Sequence, residues 1–181
     1  MRKILTAAAL VALGATSAHA LSLTSPDLKP GAKIADEQVF NSFGCSGKNV
    51  SPALSWSGAP KGTKSFALTV YDPDAPTGSG FWHWVVFNIA PDATSLPKGA
   101  GDPKSDAAPK NAIQGHNDFG FAGYGGPCPP PGDKPHHYQF KLYALDTDKL
   151  QADENATAAV VGFNIHFHTL AKAELDGVWN H

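Results

Sequence analysis

The run 82–89 is apolar on both of the faces that a β-strand presents, which limits where it can lie in a fold. One face would carry Trp82, Trp84 and Val86, and the other Val85 and Phe87, because successive side chains of a strand point in opposite directions. A strand without a polar face needs protein on both sides. This run therefore predicts a central strand in a layered β fold.

Other parts of the chain agree with a mainly β fold. The runs 53–56, 65–71 and 138–145 are further strand candidates. The chain has 18 glycines, 15 prolines and only 17% charged residues, a composition that suits a turn-rich β protein. Little regular structure is predicted over 91–135, where glycine and proline are dense. A loop of that length in a compact domain is usually functional or built around a site.

Small helices are predicted near the end of the chain. Asp153 is a candidate N-cap for a helix over 153–161, and 169–175 is a second candidate, which Gly177 would end. The residues thus predict a mainly β sandwich with one or two peripheral helices.

The first 20 residues have the composition of a secretion signal. Two basic residues precede an apolar segment, 4–13, and Ala18-His19-Ala20 is a small-residue cleavage site. The apolar segment is shorter than the roughly 20 residues that a membrane-spanning helix needs. We expect cleavage before Leu21, a single domain over 21–181, no transmembrane segment, and a periplasmic or secreted protein.

Charge and cysteine content narrow the choice of partner and compartment. Cleavage would remove two of the 14 basic residues against 16 acidic ones, which gives a net charge of about −4. That charge argues against nucleic acid or anionic membrane as the main partner. Cys45 and Cys128 are the two cysteines. In an oxidising compartment a disulfide between them is the default prediction, and two buried free thiols are the alternative.

Polar residues gather where two predicted strands meet a turn. Asp72 and Asp74 flank Pro73 after the run 65–71, and His83 lies near the start of the next strand. A hairpin would bring the carboxylates and the imidazole to one edge of the sheet. The alternative is that the carboxylates only cap backbone N–H groups of the turn.

A second polar group lies further along the chain. His136 and Tyr138 are two residues apart, so in a strand their side chains share a face that His137 does not. Together they supply two hydrogen-bond donors for an anion, and a nearby carboxylate would orient the imidazole and favour its charged form. Gly126-Pro127 can bring backbone close to a ligand. A polar cluster and a tight loop without any ligand are the alternatives.

Patterns for metal binding and nucleophilic catalysis are weak. His166-Phe167-His168 would place two imidazoles on one face of a strand, but no further ligands follow at a spacing typical of zinc sites. Ser79 lacks the Gly-x-Ser-x-Gly context, and Cys45 could be a nucleophile only if unpaired. We expect no metal, no cofactor and no catalytic nucleophile.

In combination, these segments resemble the phosphatidylethanolamine-binding protein family, and most closely its bacterial Raf-kinase-inhibitor-like branch. The segments that carry the resemblance are Asp72-Pro73-Asp74-Ala75-Pro76, the His83 strand, Gly126-Pro127 and His136-His137-Tyr138. The resemblance extends over nearly the whole mature chain. Residues 49–56 resemble the early segment of that branch, and 168–175 resemble its C-terminal helix.

The resemblance implies a two-sheet antiparallel β-sandwich with a small cavity for anions, such as phosphate or a phosphoethanolamine-type headgroup. The implied ligand-binding residues are Asp72, Asp74, Pro76, His83, Gly126, Pro127, His136 and Tyr138. Regulation of a kinase or protease is suggested by analogy alone. The alternatives are a weak hydrolase that uses His83 or His136 as general base, and a protein-interaction module.

Overall fold

The computed structural model describes residues 20–181, so the predicted secretion signal lies outside the described residues except for its last position. In chain order the elements are β1 (Ser22–Thr24), β2 (Leu54–Ser57), β3 (Ser65–Asp72), β4 (Phe81–Ile89), β5 (Ser95–Leu96), β6 (Ile113–Gln114), β7 (His136–Leu145), α1 (Ala158–His168) and β8 (Thr169–Trp179). No helix within this part of the chain is long and apolar enough to cross a bilayer.

The strands form two antiparallel sheets. The small sheet has the order β1-β2-β5, and the large sheet has the order β6-β4-β3-β7-β8. The main core fills the space between them, where Leu54 and Trp56 of the small sheet meet Leu68 and Phe140 of the large one. The prediction of a mainly β, two-sheet antiparallel sandwich is confirmed.

Strand β4 is covered on both faces, as its sequence predicts. Trp84 and Val86 belong to the core between the sheets. Val85 and Phe87 point to the other side, where they belong to a second apolar cluster that includes Ile165 of α1. These four side chains are at most 1% exposed, so β4 has no polar face here because protein covers it on both sides.

Trp82 does not share a face with Trp84, which corrects the predicted alternation. Tyr71 pairs with Trp82 and Val70 pairs with Trp84, so His83 is an extra residue on β4. Such a β-bulge shifts the alternation of side chains by one position. Trp82 therefore lies on the outer face of the large sheet, where its ring packs on Tyr71 at a centroid distance of 4.6 Å.

The segment 169–175 is a strand, and the predicted helix there is wrong. Its residues are good helix formers, but β8 pairs with β7 along almost its full length. Ala173 and Leu175 face the core, whereas Lys172 and Glu174 lie on the other face. This two-residue period follows the pleat of the sheet. Tertiary pairing thus overrides local propensity, and the same correction applies to the segment 168–175 that resembled a C-terminal helix.

The single helix in the described residues begins later than predicted. Thr157, not Asp153, is the N-cap of α1, and its side chain accepts a hydrogen bond from the backbone N–H of Val160. The Asp153 side chain accepts from the N–H of Asn155 in the preceding turn instead. Both residues are typical caps, so residue type alone does not distinguish them.

Candidate functional site

A cavity of about 200 Å³ lies at one edge of the large sheet. Strand β3 runs antiparallel to both β4 and β7, so the end of β3 lies beside the beginnings of its two neighbours. Five residues predicted from the sequence line the cavity: Asp72, Pro76, His83, His136 and Tyr138. The hairpin geometry therefore brings together side chains that are up to 66 positions apart in the sequence.

His136 is held between two carboxylates. Its Nδ1 is 2.7 Å from Asp72 Oδ2, and its Nε2 is 3.3 Å from Asp133 Oδ2. The side chains of His136 and Asp72 are 4% and 3% exposed, whereas that of Asp133 is 39% exposed. Carboxylate oxygens accept hydrogen bonds, so each ring nitrogen of His136 faces an acceptor.

His83 has different partners from His136. Its Nδ1 donates to the carbonyl oxygen of Gly125 at 2.7 Å and lies 3.2 Å from that of Gly126. A carbonyl only accepts, so Nδ1 carries the hydrogen and Nε2 is the nitrogen that can gain or lose a proton. Complete burial lowers the pKa of His83, although the backbone carbonyls and the Asp72 carboxylate act in the opposite direction. The neutral ring is therefore favoured.

Tyr138 has a buried hydroxyl without a hydrogen-bond partner among the described residues. The Cys128 backbone amide is nearby but outside hydrogen-bonding geometry. Burial raises the pKa of Tyr138 strongly, and the Asp72 carboxylate adds to the effect. The phenol therefore remains protonated at physiological pH. Its ring meets that of His83 edge to face at 5.0 Å.

Aromatic rings surround the polar end of the cavity. Phe119 lines it and contacts Phe81 at a centroid distance of 4.7 Å and His83 at 5.4 Å. On its other side Phe119 meets Phe43 at 5.7 Å. Phe43 is 75% exposed and has a left-handed backbone conformation with φ of 54°, which is uncommon for a bulky residue. An exposed aromatic surface therefore continues from the cavity.

The predicted disulfide between Cys45 and Cys128 is present, with the two Cα atoms 5.9 Å apart. Cys128 also lines the cavity, together with Pro129 and Pro130. The covalent bond therefore fixes one wall of the cavity to the segment that carries Phe43 and Cys45.

Asp74 does not line the cavity, although it belongs to the predicted set. Its Oδ2 accepts hydrogen bonds from the backbone N–H and from Nδ1 of His137, both at 2.8 Å. Burial opposes ionisation of Asp74, but these bonds outweigh it and lower its pKa. Asp74 thus ties the turn after β3 to the start of β7, and its N–H donates to Asp72 Oδ1 at 2.8 Å.

Gly126 and Pro127 lie behind the cavity lining. A Cβ on Gly126 would come within 2.0 Å of the Gln38 carbonyl oxygen, so only glycine fits against this backbone. The Pro127 carbonyl accepts from the N–H of Phe40 at 3.0 Å. Both residues pack against the segment 38–40, and their predicted contact with a ligand stays a prediction.

His166 and His168 belong to α1, so they do not share the face of a strand. His168 Nδ1 is 2.8 Å from Asp146 Oδ1. Within residues 20–181 the potential metal ligands that lie close together are Cys45, Cys128 and His181, and the two sulfur atoms of this group form the disulfide.

Asp133 contacts His136 without lining the cavity, and the sequence analysis missed this contact. It lies three residues before His136, in a turn where its N–H donates to the Pro130 carbonyl at 3.2 Å. A carboxylate close to the beginning of a strand that carries a histidine is a signal that could have suggested it. Gly132 precedes it with φ of 89°, a conformation that favours glycine.

Comparison with known proteins gives a consistent result. Residues 24–180 match the family model described as phosphatidylethanolamine-binding protein. The chain is 54% identical over 162 residues to the UPF0098 protein YbcL of Escherichia coli, covering 90% of this chain and 88% of YbcL. It is 48% identical over 160 residues to YbhB of the same organism, covering 88% of this chain and all of YbhB.

A solved structure is also similar. The crystal structure of E. coli YbcL, described as a new member of the mammalian PEBP family, superposes with a TM-score of 0.88. The match has 52% sequence identity and covers 90% of this chain and 99% of that one. The family resemblance inferred from the sequence is thereby confirmed.

Proposed function

This chain belongs to the phosphatidylethanolamine-binding protein family, and we propose that it is an exported protein that binds a small anion or a phospho-headgroup in the cavity beside β3, β4 and β7. The observation that carries the proposal is the buried Tyr138 hydroxyl, for which residues 20–181 provide no hydrogen-bond partner. Leaving such a group without a partner costs about 1–3 kcal/mol. An oxyanion in the cavity would accept its hydrogen bond and remove that cost.

The second donor proposed for the ligand is His136. Asp72 holds Nδ1 at 2.7 Å and thereby fixes the ring. Asp133 contacts Nε2 at the longer distance of 3.3 Å, and its carboxylate is partly exposed. An anionic ligand that displaces Asp133 would take over the same N–H. Asp133 therefore acts in this proposal as an internal carboxylate that competes with the ligand.

The third group is His83, which offers Nε2 because Nδ1 is committed to the Gly125 carbonyl. In the neutral ring this nitrogen accepts a hydrogen bond, for example from a protonated phosphate oxygen or an ammonium group. In the protonated ring it donates to an anion. Since burial lowers the pKa of His83, we expect binding of an anion to be coupled to proton uptake.

Export of the protein is the second component of the proposal. The basic and apolar composition of residues 1–20 supports it, as does the disulfide between Cys45 and Cys128, since disulfides persist mainly in oxidising compartments. Cell fractionation followed by N-terminal sequencing tests this component. Recovery from the periplasm or medium with Leu21 as first residue is expected, and a cytoplasmic chain that retains residues 1–20 would contradict it.

Isothermal titration with inorganic phosphate and with phosphoethanolamine tests the binding proposal. We expect saturable binding at roughly millimolar affinity or better, weakened at least tenfold in Tyr138→Phe. A wild-type protein that binds neither compound at this level overturns the anion-binding function. Comparison of the two compounds shows whether the ethanolamine group adds affinity to that of phosphate.

The two alternative functions give different results in parallel assays. Turnover of phosphoester or carboxylic ester substrates, lost in His83→Asn, would favour a hydrolase. Asn retains a donor near the position of Nδ1, so the contact with Gly125 is conserved in that variant. A specific partner captured from the export compartment, without any small-anion binding, would favour an interaction module such as a kinase or protease regulator.

A further inference from the structure

A second cavity lies on the opposite face of the large sheet from the anion site. It has a volume of about 450 Å³ and lies between α1 and the outer surface of β3, β4, β7 and β8. We call it the outer groove. The polar or aromatic residues that line it are Thr69, Trp82, Tyr143, His166, Thr169 and Lys172.

Two hydroxyl groups form the base of the outer groove. Thr69 is 1% exposed, and its hydroxyl has no hydrogen-bond partner among residues 20–181. The Tyr143 hydroxyl is close to it but outside hydrogen-bonding geometry. Burial raises the pKa of Tyr143, an effect that the neighbouring Thr69 only partly offsets. Both groups therefore remain donors at neutral pH, and a buried hydroxyl without a partner favours binding of an acceptor.

The charges around the outer groove are mixed, and the Glu174 carboxylate acts together with burial to raise the pKa of Tyr143. Lys141 and Glu174, on the same face of the sheet, pair with each other at 3.7 Å. On α1, His168 pairs with Asp146 at 2.8 Å. Lys172 has no carboxylate within ion-pair distance in the part of the chain that the structure describes. The outer groove thus has a cation that is not neutralised, which attracts an anion.

Small side chains on α1 leave space opposite the Trp82 ring. Ala159 and Gly162 line the groove together with Ile165. Apart from the backbone of its own helix, a Cβ placed on Gly162 would contact only Cη2 of Trp82 among the described residues, at 4.0 Å. Glycine in a helix lowers stability relative to other residues, and no close contact requires it here. What the glycine provides is an open volume beside an indole ring.

We propose that the outer groove is a second binding site, for a small organic anion that joins a carboxylate to an aromatic ring. The ring occupies the space between Trp82 and Gly162, as expected for aromatic pairs. The carboxylate accepts from Tyr143 and is attracted by Lys172. This site is separated from the anion cavity by the sheet itself, and it does not depend on the function proposed above.

Titration of the folded protein with benzoate, followed by amide chemical shifts in NMR spectra, tests the proposal. Saturable shifts at Gly162 and Lys172 are expected, with an affinity at least tenfold higher than that of acetate or benzyl alcohol. Acetate lacks the ring and benzyl alcohol lacks the charge. Saturating inorganic phosphate should not displace benzoate, because phosphate has no ring to occupy the space between Trp82 and Gly162.

Two variants make the test specific. Lys172→Gln removes the free cation from an exposed position, and Gly162→Leu fills the space beside Trp82 with a better helix former. Each should lower benzoate affinity at least tenfold while the melting temperature stays the same or rises. Phosphate binding should not change in either variant. Thr69→Val, which removes the unpartnered hydroxyl, should also weaken benzoate without lowering the melting temperature.

Several results would overturn the proposal. One is the absence of saturable benzoate shifts in the wild-type protein. A second is unchanged benzoate affinity in either Lys172→Gln or Gly162→Leu. A third is displacement of benzoate by phosphate, because phosphate has no aromatic ring and should not compete for the proposed site.

Discussion

Tyr138→Phe is the substitution that separates binding from folding most clearly. The ring is 1% exposed and packs edge to face on His83 at 5.0 Å, and phenylalanine preserves that packing. Only the hydroxyl is lost, and it has no partner among the described residues. Removing a buried polar group without a partner relieves a cost of about 1–3 kcal/mol. We therefore expect the free energy of unfolding to rise by about 1 kcal/mol or to stay unchanged.

The effect on ligand binding has the opposite sign. A hydrogen bond to a charged group contributes about 1.5–3 kcal/mol, which corresponds to roughly a 10- to 150-fold loss of phosphate affinity. Urea unfolding and isothermal titration on the same protein preparations measure both quantities. Unchanged phosphate affinity would refute the assignment of the hydroxyl to the ligand. A loss of stability above about 1 kcal/mol would show instead that Tyr138 has a structural partner.

Three further predictions concern the surroundings of the cavity. Asp133→Asn should increase phosphate affinity roughly two- to fivefold, the range typical of partly exposed ion pairs, because a carboxylate 3.3 Å from His136 Nε2 no longer competes. Asp92 is an exposed carboxylate just after the opposite end of β4, and Asp92→Asn is the matched control in the same titration. Equal phosphate affinities of the two variants would count against competition between Asp133 and the ligand. Sulfate, which does not titrate between pH 6 and 8, should bind several-fold more tightly at the lower pH, and less so in His83→Asn. The pKa of His83 in the folded protein lies below its unfolded value of 6.5, so we expect anion binding to be coupled to uptake of a proton by this ring. In the free protein, the contribution of neutral His83 to the free energy of unfolding is fully present above pH 6.5 and declines as the pH falls below that value. Constant sulfate affinity would contradict this coupling. Replacing Cys45 and Cys128 by alanine opens a loop with a sequence separation of 83. In the chain-entropy model this should lower the free energy of unfolding, measured with urea, by about 4–5 kcal/mol. A loss below about 1 kcal/mol would show that the disulfide does not stabilise the fold in this way.

The elements predicted best are those whose sequence pattern is compatible with one type of secondary structure and one position in the fold. Strand β4 is apolar on both faces and could only be central, whereas β3 ends where Asp72 and Pro73 follow an apolar run. For β8 the sequence is compatible with two structures, a helix and a strand. Lys172 and Glu174 favour a helix by propensity, but they also alternate with Ala173 and Leu175 at the period of a strand. Pairing with β7 decided between them, and pairing is a long-range property that local sequence does not contain.

The same distinction applies to the candidate site. The residues 72, 83, 136 and 138 were predicted together because strand ends and the period of two fix their positions. Asp133 was missed because its contact with His136 depends on how a turn closes. Gly126 is packed against the segment 38–40, a contact that was not predicted, whereas its position beside a ligand stays a prediction. Which backbone approaches a glycine depends on the tertiary fold.

A single extra residue in β4 determines which side chains of this strand reach each of the two cavities. Regular alternation would place His83 on the same face as Val85, under α1, and Trp82 in the core. Because His83 is inserted between the pairs Tyr71–Trp82 and Val70–Trp84, the imidazole instead reaches the cavity that contains Tyr138, and the indole reaches the outer groove. The backbone carbonyl of the inserted His83 accepts from the N–H of Gly125 at 2.8 Å, so the loop 125–126 contacts both the backbone and the ring of this residue. The β-bulge thus supplies one aromatic side chain to each face of the large sheet, and deletion of one residue here would change both cavities at once.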